Sequence, residues 1–316
     1  MSRRGWVMFI SMCVIWGIPY LLIKVAVTGV SVPVLVLARV GIGAALLLPL
    51  AVRSRQLRVL LPYWRWLALF AVIEIALPWL LLSQAETKLS SSLTGLLIAS
   101  VPILVVVIAR FTGAAERMSA VRWTGLLVGL AGVGVLVGPG ANGSDALSIA
   151  EVFGVALCYA IGPLIANRKL SSLPPLGMTA VCLAFAAVLY SPLAALNWPS
   201  AVPSFRVLAS LAGLAVICTA VAFLVFFRLI AEIGPARATV ITYVNPAVAV
   251  ALGVSILGEP FTLAMAGAFA LILGGSVLAT RGARPAAAKN EPALAAAAQP
   301  AAAQGEVRPD APEPAR

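Results

Sequence analysis

Long apolar stretches separated by short polar connections fill most of this 316-residue chain. A helix needs roughly 20 apolar residues to cross about 30 Å of hydrocarbon. Ten stretches approach that length, at 6–27, 33–52, 64–83, 90–109, 119–138, 149–166, 176–196, 207–229, 238–257 and 263–280. The runs show no alternation with a period of two, which favours helices over a barrel. The pattern therefore predicts an all-α polytopic membrane protein with ten transmembrane helices.

The ten stretches read as two copies of five. In each copy a proline precedes a glutamate by 13 or 14 residues, and two glycines seven residues apart follow it. The matching residues are Pro102, Glu116, Gly125 and Gly132 in the first copy and Pro246, Glu259, Gly267 and Gly274 in the second. Because five crossings are an odd number, the second copy enters the membrane from the opposite side. We expect two inverted five-helix repeats, 6–138 and 149–280, an arrangement found mainly in secondary transporters.

The charges agree with a membrane protein and set its orientation. Hydrophobic residues make up 62% of the chain and charged residues 10%, and the net charge of +11 lies in alternate loops. One side carries Arg3, Arg4, Arg53, Arg55, Arg58, Arg65, Arg110, Arg117, Arg122, Arg168, Lys169, Arg228, Arg237, Arg281 and Arg284, and the other carries Lys88 and Arg206. The positive-inside rule then predicts a multi-pass protein of the cytoplasmic (inner) membrane with both termini cytoplasmic. Nucleic-acid binding is not expected.

Composition also narrows the chemistry. The four cysteines lie within proposed spans and the chain has no histidine, so we expect no metal, no disulfide, no cofactor and no histidine-based catalytic site. Residues 285–316 are rich in alanine and proline and predict a disordered cytoplasmic tail.

Three charged residues fall inside the spans, where a charge costs roughly 2.5–3.5 kcal/mol even on an insertion scale. Arg39 and Lys24 are candidate ligands for an anionic or zwitterionic substrate. Glu74 is the one carboxylate near the centre of a span, and in a chain without histidine it is the candidate for proton coupling. The alternatives are an Arg39–Glu74 ion pair that fixes helix register, and a Lys24 that extends to the interface.

Aromatic side chains extend the candidate substrate site. Trp16, Tyr20 and Lys24 are spaced at i, i+4 and i+8, which puts them on one face of a continuous helix. Tyr159 lies 143 residues after Trp16, at the matching place in the second copy. The repeat therefore predicts aromatic rings on two sides of a central space.

Prolines at matching places predict interrupted helices. Pro102 and Pro246 each leave one carbonyl without its helical partner, those of Ile98 and Thr242. Paired interruptions in the two halves of a transporter indicate a midplane site, and a simple kink is the alternative. The amide of Asn245, next to Pro246, makes it a further substrate-binding candidate.

Small residues predict close packing in the fifth and tenth helices. Gly125 and Gly129 are four apart, as are Ala266, Ala270 and Gly274. These faces predict contact between the two repeats or between protomers, so a homodimer remains an alternative.

The chain resembles the EamA-type transporters of the drug/metabolite transporter superfamily over about residues 9–280. The resemblance rests on Trp16-Gly17, Pro33, Arg39, the run from Ala85 to Pro102, Gly234-Pro235-Ala236-Arg237-Ala238, Pro246, Gly258-Glu259-Pro260 and Gly267 to Gly275. Ala115 departs from the glycine expected before Glu116, and the seventh helix lacks a counterpart of Arg39. The resemblance implies a ten-helix inverted-repeat fold, embedded in lipid, that moves small polar metabolites, often outward.

The sequence thus predicts a secondary transporter, an exporter of metabolites such as amino acids, working by alternating access and coupled to protons. It is not expected to be an enzyme. The alternatives are a membrane-embedded lipid carrier or enzyme, and a non-transport partner that acts through its tail. Glu116 and Glu259, in short turns at helix ends, are expected to cap helix N-termini rather than to bind substrate.

Overall fold

The computed structural model describes residues 2–111, 119–137, 143–238 and 240–280. Within these ranges the chain is helical, with turns and no strand. Eight segments are long and apolar enough to cross a membrane, and two shorter apolar helices follow. We number them 1 to 10: Arg3–Ala26, Val32–Arg53, Leu57–Ala85, Ser91–Ile108, Ala120–Val137, Ala146–Leu170, Pro175–Leu196, Phe205–Ile233, Ile241–Leu257 and Leu263–Ala279. The Glu116 turn and the expected tail at 285–316 lie outside the described residues.

Several segments are interrupted. Segment 1 consists of Arg3–Ile15 and Ile18–Ala26, and segment 4 of Ser91–Ile98 and a helix from Val101 to Phe111. A short helix, Pro235–Ala238, precedes segment 9. Wider π-helical turns occur at Ala71–Ala76 in segment 3, Ala166–Leu170 at the end of segment 6 and Gly213–Val221 in segment 8.

The two prolines expected to interrupt matching helices behave differently. The helix of segment 4 stops at Ile98 and restarts at Val101, directly before Pro102. Pro246, by contrast, lies inside the continuous helix Ile241–Leu257, so the expected interruption of segment 9 is wrong. A proline removes one helical hydrogen bond and displaces one carbonyl, and a membrane helix tolerates this where neighbouring groups take up the freed carbonyl.

The first five segments pack against the last five. Segment 2 lies against segment 7, segment 4 against segment 9, and segment 5 against segment 10. Segment 1 packs on segment 8, and segment 3 packs on segment 6. If the second copy is numbered in parallel with the first, these last two contacts are the same contact seen from either half. The packing therefore follows an approximate twofold relation between the two halves.

Glycines bring segments 5 and 10 together within one chain. A methyl group on Gly275 would collide with the backbone of Gly129, and one on Gly125 would collide with the backbone of Ala279. Gly132 likewise lies against Ala268. Of the two outcomes expected for these helices, the structure shows contact between the repeats. Gly274, expected in this seam, meets nothing within 4 Å, because its neighbour Gly275 occupies the contacting face.

Contacts between turns define the two ends of the helix bundle. At the basic end, which includes Arg53, Arg58 and Arg168, the Gln56 side-chain oxygen accepts a hydrogen bond of 2.8 Å from the Gly177 backbone N–H. At the other end, the Glu259 carboxylate accepts from the Ser91 backbone N–H at 2.7 Å. We call these the basic end and the Glu259 end.

Candidate functional site

Arg39 lies in the middle of segment 2 and is only 6% exposed. Its guanidinium stacks on the Trp79 ring of segment 3, with Cζ 3.6 Å from the ring centroid. Its Nε donates a 3.1 Å hydrogen bond to Thr219 Oγ1 of segment 8. One side chain thus joins three segments from both halves, at a depth where a charge is costly.

The π turn of segment 8 positions the partner of Arg39. Thr219 Oγ1 donates at 2.9 Å to the carbonyl of Leu214, five residues earlier, as the wider π spacing allows. Segment 3 has its own π turn, Ala71–Ala76, and moving that range forward by the repeat offset of 143 places it within Gly213–Val221. Both halves therefore widen the same helix at the same place, and such bulges occur frequently at functional sites.

Two tyrosines complete the cluster around Arg39. Tyr20 of segment 1 and Tyr159 of segment 6 both lie within electrostatic range of the guanidinium, and the Tyr159 hydroxyl lies beside the Trp79 side chain. Tyr20 is 7% exposed and Trp79 6% exposed, so the cluster is occluded in this arrangement. We call Tyr20, Arg39, Trp79, Tyr159 and Thr219 the arginine cluster.

Trp16 does not join this cluster. The helix of segment 1 breaks at Trp16 and Gly17, so the single face that the spacing predicted for Trp16, Tyr20 and Lys24 does not form. The Trp16 ring packs instead on segment 8, with centroids 4.6 Å from Phe226 and 6.2 Å from Phe223. The ring that faces Tyr159 across the cluster is Tyr20.

Lys24 is engaged with the main chain. Its ammonium donates to the carbonyls of Glu86 at 2.8 Å and Leu89 at 2.6 Å, in the turn between segments 3 and 4. These carbonyls follow the C-terminus of a helix, where a cation is favourable. The structure therefore gives Lys24 a local role in holding the Glu259 end.

Asn245 also faces main-chain groups. With its amide oriented to satisfy both atoms, the nitrogen donates to the carbonyls of Cys13 at 3.2 Å and Ile241 at 3.0 Å. The Cys13 carbonyl lies one turn before Gly17, whose N–H bonds Val14 instead. Asn245 thus supplies a partner at the break in segment 1.

Glu74 occupies the π turn of segment 3 and points toward segment 6. Its Oε2 is buried without a hydrogen-bond partner and lies against Gly162, where a methyl group would collide with the carboxylate. Among the described residues no carboxylate is within ion-pair distance of Arg39, and the acidic group in its electrostatic range is Glu86, not Glu74. The expected Arg39–Glu74 ion pair is therefore not formed.

Glu259 caps a helix, but not the one that follows it. Its carboxylate accepts from the backbone N–H groups of Ser91 at 2.7 Å and Ser92 at 2.9 Å, and from the Ser92 hydroxyl. It therefore caps segment 4, in the other half of the chain. Partial burial alone would raise the pKa of Glu259, but these hydrogen bonds hold its pKa below the ordinary value.

Sequence reasoning missed several residues of this region. Trp79 and Thr219 carry no charge, and nothing in the sequence shows that they meet Arg39. Gly162 was not recognised as space for Glu74. Glu86 falls just beyond the predicted third helix and looks like a loop residue, yet it is completely buried. The repeat offset was an available signal for the paired π turns.

Comparison with known proteins supports a membrane transporter. The model of the EamA-like transporter family matches residues 3–138 and 147–281. The "Uncharacterized inner membrane transporter YedA" of Escherichia coli (strain K12) is 29% identical over 282 residues, which is 86% of this chain and 89% of that protein. The "Uncharacterized transporter YvbV" of Bacillus subtilis (strain 168) is 25% identical over 270 residues, which is 82% of this chain and 86% of that protein.

A solved crystal structure shares the fold. It has a TM-score of 0.62 at 23% identity and covers 89% of this chain and 97% of that one. The two family matches fall on the two halves whose packing is described above. The chain belongs to the EamA-like transporter family.

Proposed function

We propose that this membrane transporter is a secondary exporter of small polar metabolites that carry a carboxylate or phosphate, such as amino acids. In this proposal the ten segments all cross the cytoplasmic membrane, the repeats 6–138 and 149–280 are inverted, and both termini are cytoplasmic. Transport then occurs by alternating access to a site between the halves.

The observation that supports this substrate class is the state of Arg39. Its Nε is bonded to Thr219 and one face is covered by Trp79. Among the described residues, no acceptor is found for its two terminal nitrogens and no carboxylate forms an ion pair with it. A guanidinium in this state presents a planar pair of donors that matches a carboxylate or phosphate. A buried cation without a counter-ion is also costly, so an anionic group that binds here removes that cost.

The surrounding aromatic rings suit a small organic substrate. Tyr20, Trp79 and Tyr159 come from three different segments and surround the guanidinium. Aromatic faces exclude water, and a charge-assisted hydrogen bond is stronger where water is excluded. We assign recognition of the anionic group to Arg39 and packing against the rest of the substrate to the rings.

Coupling to protons is the second part of the proposal, and Glu74 is its carrier. The carboxylate is near the middle of segment 3 and one of its oxygens is buried without a partner. Gly162 leaves it room to change its hydrogen bonding without moving a helix. A substrate/proton antiporter needs a group of this kind.

The test is metabolite efflux from cells with and without the protein, using panels of amino acids, nucleosides and drugs. Cells with the wild-type protein should export one anionic or zwitterionic class faster than cells without it. Arg39→Ala should lose this export, and Arg39→Lys should keep the charge but lose the planar fork and export at least about tenfold more slowly.

The matched control is Arg206→Lys, which changes an exposed arginine at the Glu259 end. It should export like the wild type, and all variants should reach the membrane in equal amounts. Wild-type rates in both Arg39 variants would remove Arg39 from the site.

A further inference from the structure

Glu86 is an ionisable group that neither the family nor the proposed site uses. It follows segment 3 and its side chain is completely buried, at 0% exposure. Both of its carboxylate oxygens lack a hydrogen-bond partner. The Ser83 hydroxyl, three residues earlier on the same helical face, is also buried without a partner. Buried polar groups are normally satisfied, so these orphan oxygens call for an explanation.

The charged groups around Glu86 do not neutralise it. Lys24 of segment 1 faces it but donates to the Glu86 and Leu89 carbonyls rather than to the carboxylate. Arg39 of segment 2 is within electrostatic range and is bonded to Thr219, while Glu259 from the turn before segment 10 adds a like charge.

The remaining titratable neighbours are Tyr20 of segment 1, which is also within range of Glu86, and Lys88 of the same turn, which faces Glu151 of segment 6. A carboxylate that is out of water and accepts no hydrogen bond is unstable as an anion. A carboxyl group that has taken up a proton carries no charge and avoids this cost.

We propose that Glu86 is a proton-binding site that controls opening of the Glu259 end: the end closes with Glu86 protonated, and opening hydrates the carboxyl and releases the proton. The inference rests on the alternating access of the proposed function and assigns a second, separate ligand to it. Only a proton moves, from the carboxyl to water on opening and back on closing.

The position of Glu86 explains how one proton controls this end. Lys24 ties the Glu86 and Leu89 carbonyls to segment 1, and two residues later Ser91 is tied to Glu259. Glu86 is therefore in the same turn as the contacts that close the Glu259 end. Burial raises the pKa of Glu86 well above the ordinary carboxyl value, so the closed state binds the proton more tightly than an open, hydrated state.

The test measures opening without any substrate. Ser91→Cys places a nearly isosteric thiol at a site that is 0% exposed in this arrangement. Ser200→Cys places a thiol at an exposed position as reference. The four native cysteines are all buried, so the parent protein supplies the blank. Purified protein in liposomes is treated with a membrane-impermeant thiol reagent from pH 5.5 to 9, and the ratio of the two labelling rates removes the intrinsic pH dependence of thiols.

We expect this ratio to rise with pH, by up to about tenfold per pH unit where opening releases one proton. Glu86→Gln, which stays neutral, should keep the ratio low and flat. Glu74→Gln should keep the wild-type curve. An unchanged curve in Glu86→Gln, or its loss in Glu74→Gln alone, would overturn the proposal. A curve that follows the sodium concentration at fixed pH would replace the proton by a metal cation.

Thermal stability gives a second readout that does not depend on cysteines. Because the folded-state pKa of Glu86 is raised, its contribution to stability is fully present below the ordinary carboxyl pKa and is lost as pH rises through the folded pKa. Glu86→Gln should remove this loss and melt higher than the wild type at alkaline pH. A lower melting temperature at every pH would contradict a neutral Glu86. Neither assay uses a substrate, so both can fail while metabolite export stands, and the reverse also holds.

Discussion

Adjacent glycines in segment 10 should respond in opposite ways to the same substitution. Gly275 is buried against segment 5, and a methyl group there would collide with the Gly129 backbone nitrogen and lie 2.5 Å from the Gly129 Cα. Gly274 is exposed and meets nothing within 4 Å. Gly275→Ala and Gly274→Ala therefore add the same atom to the same helix and differ only in what that atom meets.

The sizes of the two effects follow from these contacts. Neither backbone in the seam can rotate away as a side chain can, so Gly275→Ala must separate the helices, and overpacking of this kind costs about 1–3 kcal/mol. Gly274→Ala forms no collision and replaces a flexible residue in a helix, which should stabilise by up to about 0.5–1 kcal/mol. At roughly 2 °C per kcal/mol for a large domain, the melting temperatures should differ by several degrees.

The assay is thermal unfolding of purified protein in detergent, followed by tryptophan fluorescence. Gly275→Ala should melt below the wild type and Gly274→Ala at or above it. Gly267→Ala is a second control, because that position is also open. If Gly275→Ala and Gly274→Ala shift the melting temperature equally, the seam between segments 5 and 10 is not formed as described.

Three other expectations can be checked directly. Glu259→Gln keeps the shape of the cap but removes its charge, and should destabilise the protein by about 0.5–2 kcal/mol in the same melting assay; no loss would show that the charge is not used. Glu74→Gln should abolish uphill export while exchange of substrate partly remains, and pH-dependent accumulation by this variant would exclude Glu74 as the coupling group. A reporter fused after Arg281 should be cytoplasmic and a tag inserted at Asn142 accessible from outside, and the reverse pair of results would contradict the inverted repeats.

Most of the helical plan could be predicted because the membrane imposes a length. Nearly every predicted span starts and ends within a few residues of its segment. The exception is segment 3, which begins at Leu57, seven residues before the predicted 64, since Arg58 and Arg65 interrupt the apolar run. Hydropathy is insensitive to how backbone bonds are arranged inside an apolar helix. It therefore gave no sign of the break at Trp16 or of the π turn at Ala71–Ala76.

The candidate site was harder to predict because it depends on contacts between distant segments. Arg39 was found because a charge in an apolar span is conspicuous, and Tyr20 and Tyr159 were found by spacing and by the repeat. The neighbours of Arg39 were not found. Trp79 and Thr219 lie 40 and 180 residues away in the sequence and are ordinary residues of apolar helices. Their roles follow only from the packing of segments 2, 3 and 8.

The contacts between the halves suggest which parts move. Each end of the bundle has a hydrogen bond from one half to a helix N-terminus of the other, from Gln56 to Gly177 and from Glu259 to Ser91. Water can replace either bond at modest cost, because exposed N–H groups at a helix N-terminus are readily hydrated. The seam at Gly125 and its partners in segment 10 is different, since opening it would separate two backbones in van der Waals contact and leave nothing to fill the gap. We therefore expect segments 5 and 10 to stay together while the two ends open in turn.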